Sequence, residues 1–145
     1  MIEPLLAESL AKLRAALDLV FASAEAYAPF EPARAYSPKE REPYDAFADR
    51  YLRAFESSLK FFKTWERVRE AAASETFRDL LLRMEKLGII SNRERWISLR
   101  DLRNRVVHDY LPGELAVLYE AILIDAVPEF RRLAREATSR VADES

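Results

Sequence analysis

Apolar residues recur at helical spacing along almost the whole chain. Pro4 opens the first run, in which Leu5, Leu6, Leu10, Leu13, Leu17 and Val20 fall on one stripe. The run fades near Tyr27. Residues 29–43 contain Pro29, Pro32, Pro38 and Pro43, which predicts a connecting loop with at most one helical turn, capped by Ser37-Pro38-Lys39-Glu40. A long helix is expected from Tyr44, with Tyr44, Ala48, Tyr51, Phe55, Leu59 and Phe62 in one seam. Phe47, Leu52, Phe61 and Trp65 widen that seam to nearly two faces, so the helix is either central to a bundle or part of a subunit contact. Ser74 is placed to cap a third, shorter helix through Phe77, Leu80, Leu81 and Met84, ended by Gly88. Ser91-Asn92-Arg93-Glu94 reads as a capping box for a fourth helix, which Pro112-Gly113 stops. A fifth runs from Glu114 through Leu115, Leu118, Ile122 and Val127, kinked or split by Pro128, and a polar tail from Ser139 through residue 145 is expected to fray. Strand-type alternation and internal repeats are absent. The expectation is an all-α, up-and-down bundle of four to five helices, forming a single domain over residues 1–145.

Composition narrows the chemistry. Half of the 145 residues are apolar and a third are charged, as in a globular domain large enough to bury its own core. With two glycines, the chain lacks the makings of a Gly-rich phosphate loop or a dinucleotide fingerprint. With no cysteine and one histidine, disulfides, thiolate catalysis and a zinc site are excluded or improbable, and no metal or other cofactor is expected. No apolar run reaches membrane length and the N-terminus has no basic leader, so the expectation is a cytoplasmic protein without a membrane partner. The net charge of −2 provides no global attraction for nucleic acid, although the window 91–111 holds five arginines against three acids.

Within that window the amphipathic pattern is broken. On a helical wheel Trp96, Leu99, Leu102, Val106, Val107 and Tyr110 make one apolar arc, and Arg103 falls near its middle. A charge there is costly unless it is paired or faces a wet cleft. His108, the sole histidine, falls toward the polar edge that carries Asp101, Asn104 and Arg105. One reading makes Arg103 a buried ion-pair partner and His108 a surface histidine. The other is phosphodiester chemistry without a metal, in which the imidazole moves a proton and the guanidinium stabilises charge growing on phosphate oxygens. RNA brings its own nucleophile, the 2′-hydroxyl. Base and acid are both needed, yet each chain has one histidine. A two-fold dimer with two motif helices across one cleft would supply the pair.

The residues of this octet, Arg103-Asn104 followed by His108 and Tyr110 and preceded by Trp96, resemble the signature of HEPN domains. The form Arg-Asn-x-x-x-His-x-Tyr is similar to that of the bacterial HEPN toxins and the related nucleotidyltransferase substrate-binding proteins. Arg50-Tyr51, Phe55-Glu56 and Lys60-Phe61-Phe62-Lys63 resemble that family's second-helix pattern, and Leu87-Gly88-Ile89-Ile90-Ser91 resembles its entry into the motif helix. The likeness covers roughly Leu5 to Ile122. It departs at Leu59, where tryptophan is usual, and at Asp109 after the histidine.

The resemblance implies a toxin of a toxin–antitoxin pair: a homodimer that is a metal-independent endoribonuclease acting on an RNA substrate, partnered by a minimal nucleotidyltransferase antitoxin. Carried over by position, Arg103 and His108 would be catalytic and Asn104 would orient the phosphate or the imidazole. Arg100 and Arg105 would support phosphate binding, and Tyr110 would accept the nucleotide whose transfer silences the enzyme. Arg103 and Tyr110 are seven residues apart and so share a helix face, and the nucleotide would cover the arginine. The alternative implied by the same family is a non-catalytic subunit that presents substrate or nucleotide to a minimal nucleotidyltransferase.

Overall fold

The computed structural model describes residues 3–108 and 110–143. It is an all-α up-and-down bundle. Helix α1 spans Pro4–Glu25, α2 Pro38–Arg69, α3 Phe77–Lys86, α4 Arg93–Val106, α5 Pro112–Ala121 and α6 Val127–Asp143. A π-helical turn, Ile122–Ala126, joins α5 to α6 without a break, so the described residues make five helical rods.

Helix α2 is the centre, packed against α1, α3, α4 and α5, while α6 packs on α1 and brings Phe130 against Tyr51 of α2. The start of α2 corrects the expected loop boundary. The box at Ser37 does form, with the hydroxyl accepting from the Glu40 amide and the Glu40 carboxylate accepting from the Ser37 amide, each at 3.1 Å, but it opens the long helix itself. Pro38 sits at N1, where its missing N–H costs nothing, and Pro43 falls in the second turn on an exposed side, where only the Lys39 carbonyl loses its helical donor. The loop is therefore confined to about residues 26–37, and Pro43 does not end it.

Two other caps differ from expectation. Thr76 rather than Ser74 caps α3, through a 3.0 Å bond from the Asp79 amide, because Ser74 is turned inward onto Glu66. Asn92 rather than Ser91 caps α4, accepting from the Arg95 amide at 3.2 Å. Gly88 ends α3 as expected: at φ +76° it takes the left-handed position, and the Ile89 amide reaches back to the Met84 carbonyl.

The π turn sits immediately before Pro128. That residue cannot donate to Ile124, and the wider turn, with the Val127 amide on the Ile122 carbonyl, interrupts the α-helical ladder just ahead of it. The tail does not fray at Ser139: α6 continues to Asp143 because Val141 is still buried in the bundle. Among the described residues no helix is long and apolar enough to cross a membrane.

The core that positions α4 is aromatic. Trp96 is fully buried, its ring 6.2 Å from Phe55, 5.1 Å from Phe62 and 6.0 Å from Phe130. The buried Tyr51 hydroxyl donates to the Leu99 carbonyl. These contacts fix the rotation of α4 about its axis, and so decide which side each of its polar residues faces.

Candidate functional site

Trp96, Leu99 and Leu102 form the buried stripe of α4, and the helix stops at Val106, with Val107 as its cap. The stop comes before Pro112, which instead begins α5 at its first position. Two expectations change with it. Val107, placed on the apolar arc, is 62% exposed, and Tyr110 lies beyond the helix, so it shares no helical face with Arg103. The rotation assumed between Arg103 and His108 lapses for the same reason. Asp109 lies outside the described residues.

Arg103 occupies the last turn of α4, beside α2. Its Nη2 is 2.6 Å from Glu56 Oε1, and its Nη1 donates to Asn104 Oδ1 at 3.1 Å. The ion pair is not buried: the Arg103 side chain is 40% and the Glu56 side chain 44% exposed. The guanidinium is therefore paired and also faces solvent, which reconciles a charge with the edge of an apolar arc. It opens onto a groove of about 470 Å³ between α1 and α2, lined by Arg50, Arg53, Lys60 and Arg103 with Glu56 as its one acid. Arg53 is paired with Asp49 at 2.8 Å, so the surplus charge is that of Arg50 and Lys60. Burial pushes the Tyr51 phenol well above its usual range, and the neighbouring Arg103 charge opposes that only in part.

His108 is exposed in the turn after α4, its amide bonded to the Arg105 carbonyl at 3.2 Å. Tyr110 is half-buried and stands edge-on to the imidazole, with 6.2 Å between ring centroids. The structure thus brings Arg103 together with Asn104, and His108 together with Tyr110. It separates the two supporting arginines. Arg100 lies over the Phe77 ring at 4.3 Å and holds α3 to α4. Arg105, two residues from Arg103 and so on nearly the opposite side of the helix, lines a different groove with Asn92 and Asp125. Neither lines the groove onto which Arg103 opens in the single chain.

Glu56 is the partner of Arg103 that sequence reasoning missed. It entered only within the Phe55-Glu56 element of the resemblance, and nothing local shows that it meets a guanidinium 47 positions later. Among the described residues no three histidine, aspartate or glutamate side chains are grouped so as to hold a metal ion. No family model matches this chain, and no curated protein aligns with it.

Proposed function

We propose that the protein is a metal-independent endoribonuclease of the HEPN kind, the toxin of a pair with a minimal nucleotidyltransferase. The observation that carries this reading is the setting of Arg103: a half-exposed guanidinium at the mouth of a groove with surplus positive charge, not a charge sequestered in the core. Glu56 and Asn104 hold it in place, and a phosphate entering the groove meets a preoriented planar donor. His108, unobstructed by the bundle, takes the proton of the ribose 2′-hydroxyl as that oxygen attacks phosphorus. The 5′-oxygen leaves with a proton delivered by the second imidazole of a two-fold pair, and a 2′,3′-cyclic phosphate remains. Val107 and Leu111, 62% and 71% exposed, flank His108 and favour such a pairing.

Silencing by nucleotidyl transfer runs through Tyr110, whose hydroxyl would attack the α-phosphorus of a nucleoside triphosphate and release pyrophosphate. A nucleotide there stands against the imidazole, since Tyr110 neighbours His108 and not, as helical continuation implied, the face of Arg103.

A second reading has one observation in its favour. Arg103 is already engaged by Glu56, as suits a chain that only binds substrate or nucleotide for a nucleotidyltransferase. Incubation of the purified protein with tRNA and mRNA in excess EDTA decides between the two. Cleavage that disappears in His108→Ala is expected. Intact RNA under every condition overturns the nuclease and leaves the binding subunit.

A further inference from the structure

We propose that the furrow between α1 and α2 is a phosphate track for a single-stranded polynucleotide, carrying it from Arg67 past Lys63 and Lys60 to Arg103. Three hollows lie end to end along this seam. Arg50 lines both the first and the second, Lys60 both the second and the third, so they form one continuous furrow. On α2 the positions 53, 57, 60, 64 and 67 recur every three or four residues and so share one side of the helix.

The charge along the furrow is one-sided. Its acids are already committed: Glu40 to Arg34, Glu56 to Arg103 at 2.6 Å and Glu8 to Lys12 at 2.9 Å. Lys60, Lys63 and Arg67 are exposed and make no ion pair among the described residues. Three of the chain's five lysines, Lys12, Lys60 and Lys63, line this one stretch although the net charge is −2. Helical rise separates Lys60 from Lys63 by about 4.5 Å and Lys63 from Arg67 by about 6 Å along the axis. A single row of cations in a furrow fits one phosphate backbone, whereas a bilayer needs a broad basic face and a duplex a wider one.

The far end decides how the strand is read. Tyr36 carries Phe30 on one face, with centroids 4.8 Å apart, and the Arg34 guanidinium is 4.6 Å from its ring centroid. Both faces of the Tyr36 ring are thus taken. Recognition along the track is therefore by phosphate, independent of base sequence, with the exposed Leu5 and Leu19 as apolar shoulders. That the strand is delivered for cleavage rests on the nuclease reading; that it binds here does not.

Binding of a fluorescent oligouridylate, followed by anisotropy across a sodium chloride series, tests the track. The His108→Ala chain serves as parent so that the probe stays whole. The parent should bind at low salt. The triple variant Lys60→Ala/Lys63→Ala/Arg67→Ala should bind about tenfold or more weakly, and its slope of log affinity against log salt should fall by about 2, as for three single-strand contacts. If the triple variant melts early, Lys63→Glu alone should still weaken binding. Lys39→Ala/Lys86→Ala, away from the furrow, should change neither quantity. A parent that fails to bind, a triple variant that binds like the parent, or equal competition by polyglutamate overturns the track. Absence of cleavage by the unmutated chain, with salt-sensitive binding intact, counts against the nuclease alone.

Discussion

Arg103 shows how little its own ion pair contributes and how much its position does. Both members of the Arg103–Glu56 pair are about two-fifths exposed, so the pair is worth at most about 1 kcal/mol. The reading that made Arg103 the partner of a buried acid required a loss of several kcal/mol on its removal, but Glu56, the acid it meets among the described residues, is not buried and can be hydrated once the arginine is gone. Arg103→Ala is therefore expected to melt within a few degrees of the parent, while RNA cleavage falls by about 10²–10³, as for loss of one preorganised charge donor. Arg103→Lys keeps the charge but not the planar fork and should lose most of the activity too. Calorimetry and cleavage on the same preparations check this. A large fall in melting temperature with full activity in the folded fraction would refute the catalytic role.

Between elements, the firmest polar contact is at the C-terminal end of α2. Glu66 is 2% exposed and accepts from the Ser74 amide at 2.7 Å, from the Ser74 hydroxyl and from Arg83 Nε at 2.7 Å. It ties α2, the following turn and α3 together. Burial alone would raise its pKa, but the bonds from Ser74 and then Arg83 outweigh burial and hold the carboxyl below the usual glutamate range. A depressed carboxylate contributes stability that is complete above its unfolded value and is lost as pH falls through the lower folded value. Glu66→Gln should accordingly cost about 1–3 kcal/mol at neutral pH. The difference from the parent should shrink on acidification below the folded-state value, as melting curves across the acid range would show. A constant offset at all pH values would mean that packing, not charge, makes the contact.

For the molecule as a whole, the proposed two-fold pairing would use the exposed Val107 and Leu111 on either side of His108, at the end of α4. Light scattering at micromolar concentration should give twice the chain mass. Leu111→Glu should return it to the monomer with an unchanged melting temperature, since the side chain is 71% exposed, and should abolish cleavage. A monomeric parent that cleaves RNA would remove the shared-cleft mechanism.

Helical periodicity, prolines and glycines determined the number and order of the rods. Of the predicted stripe, Leu6, Leu13, Leu17 and Val20 are fully buried and Leu10 partly so, while Leu5, at the start of the helix, is 52% exposed. Gly88 ends α3 because only a residue without Cβ takes its backbone angle cheaply. Those signals are local, so residues within a few turns suffice to express them. Boundaries were less legible, because a cap competes with tertiary partners: Ser74 left its helix for Glu66, and α6 passed Ser139 because Val141 had a core to enter. The candidate site was legible as a set of residues, Arg103, Asn104, His108 and Tyr110, but not as an arrangement. Where α4 ends, which way Trp96 turns it, and that Glu56 receives Arg103 depend on packing between residues far apart in the chain. The furrow exists only once α1 lies along α2. A wheel drawn on one helix cannot show it, because the groove and its surplus charge belong to two helices packed side by side.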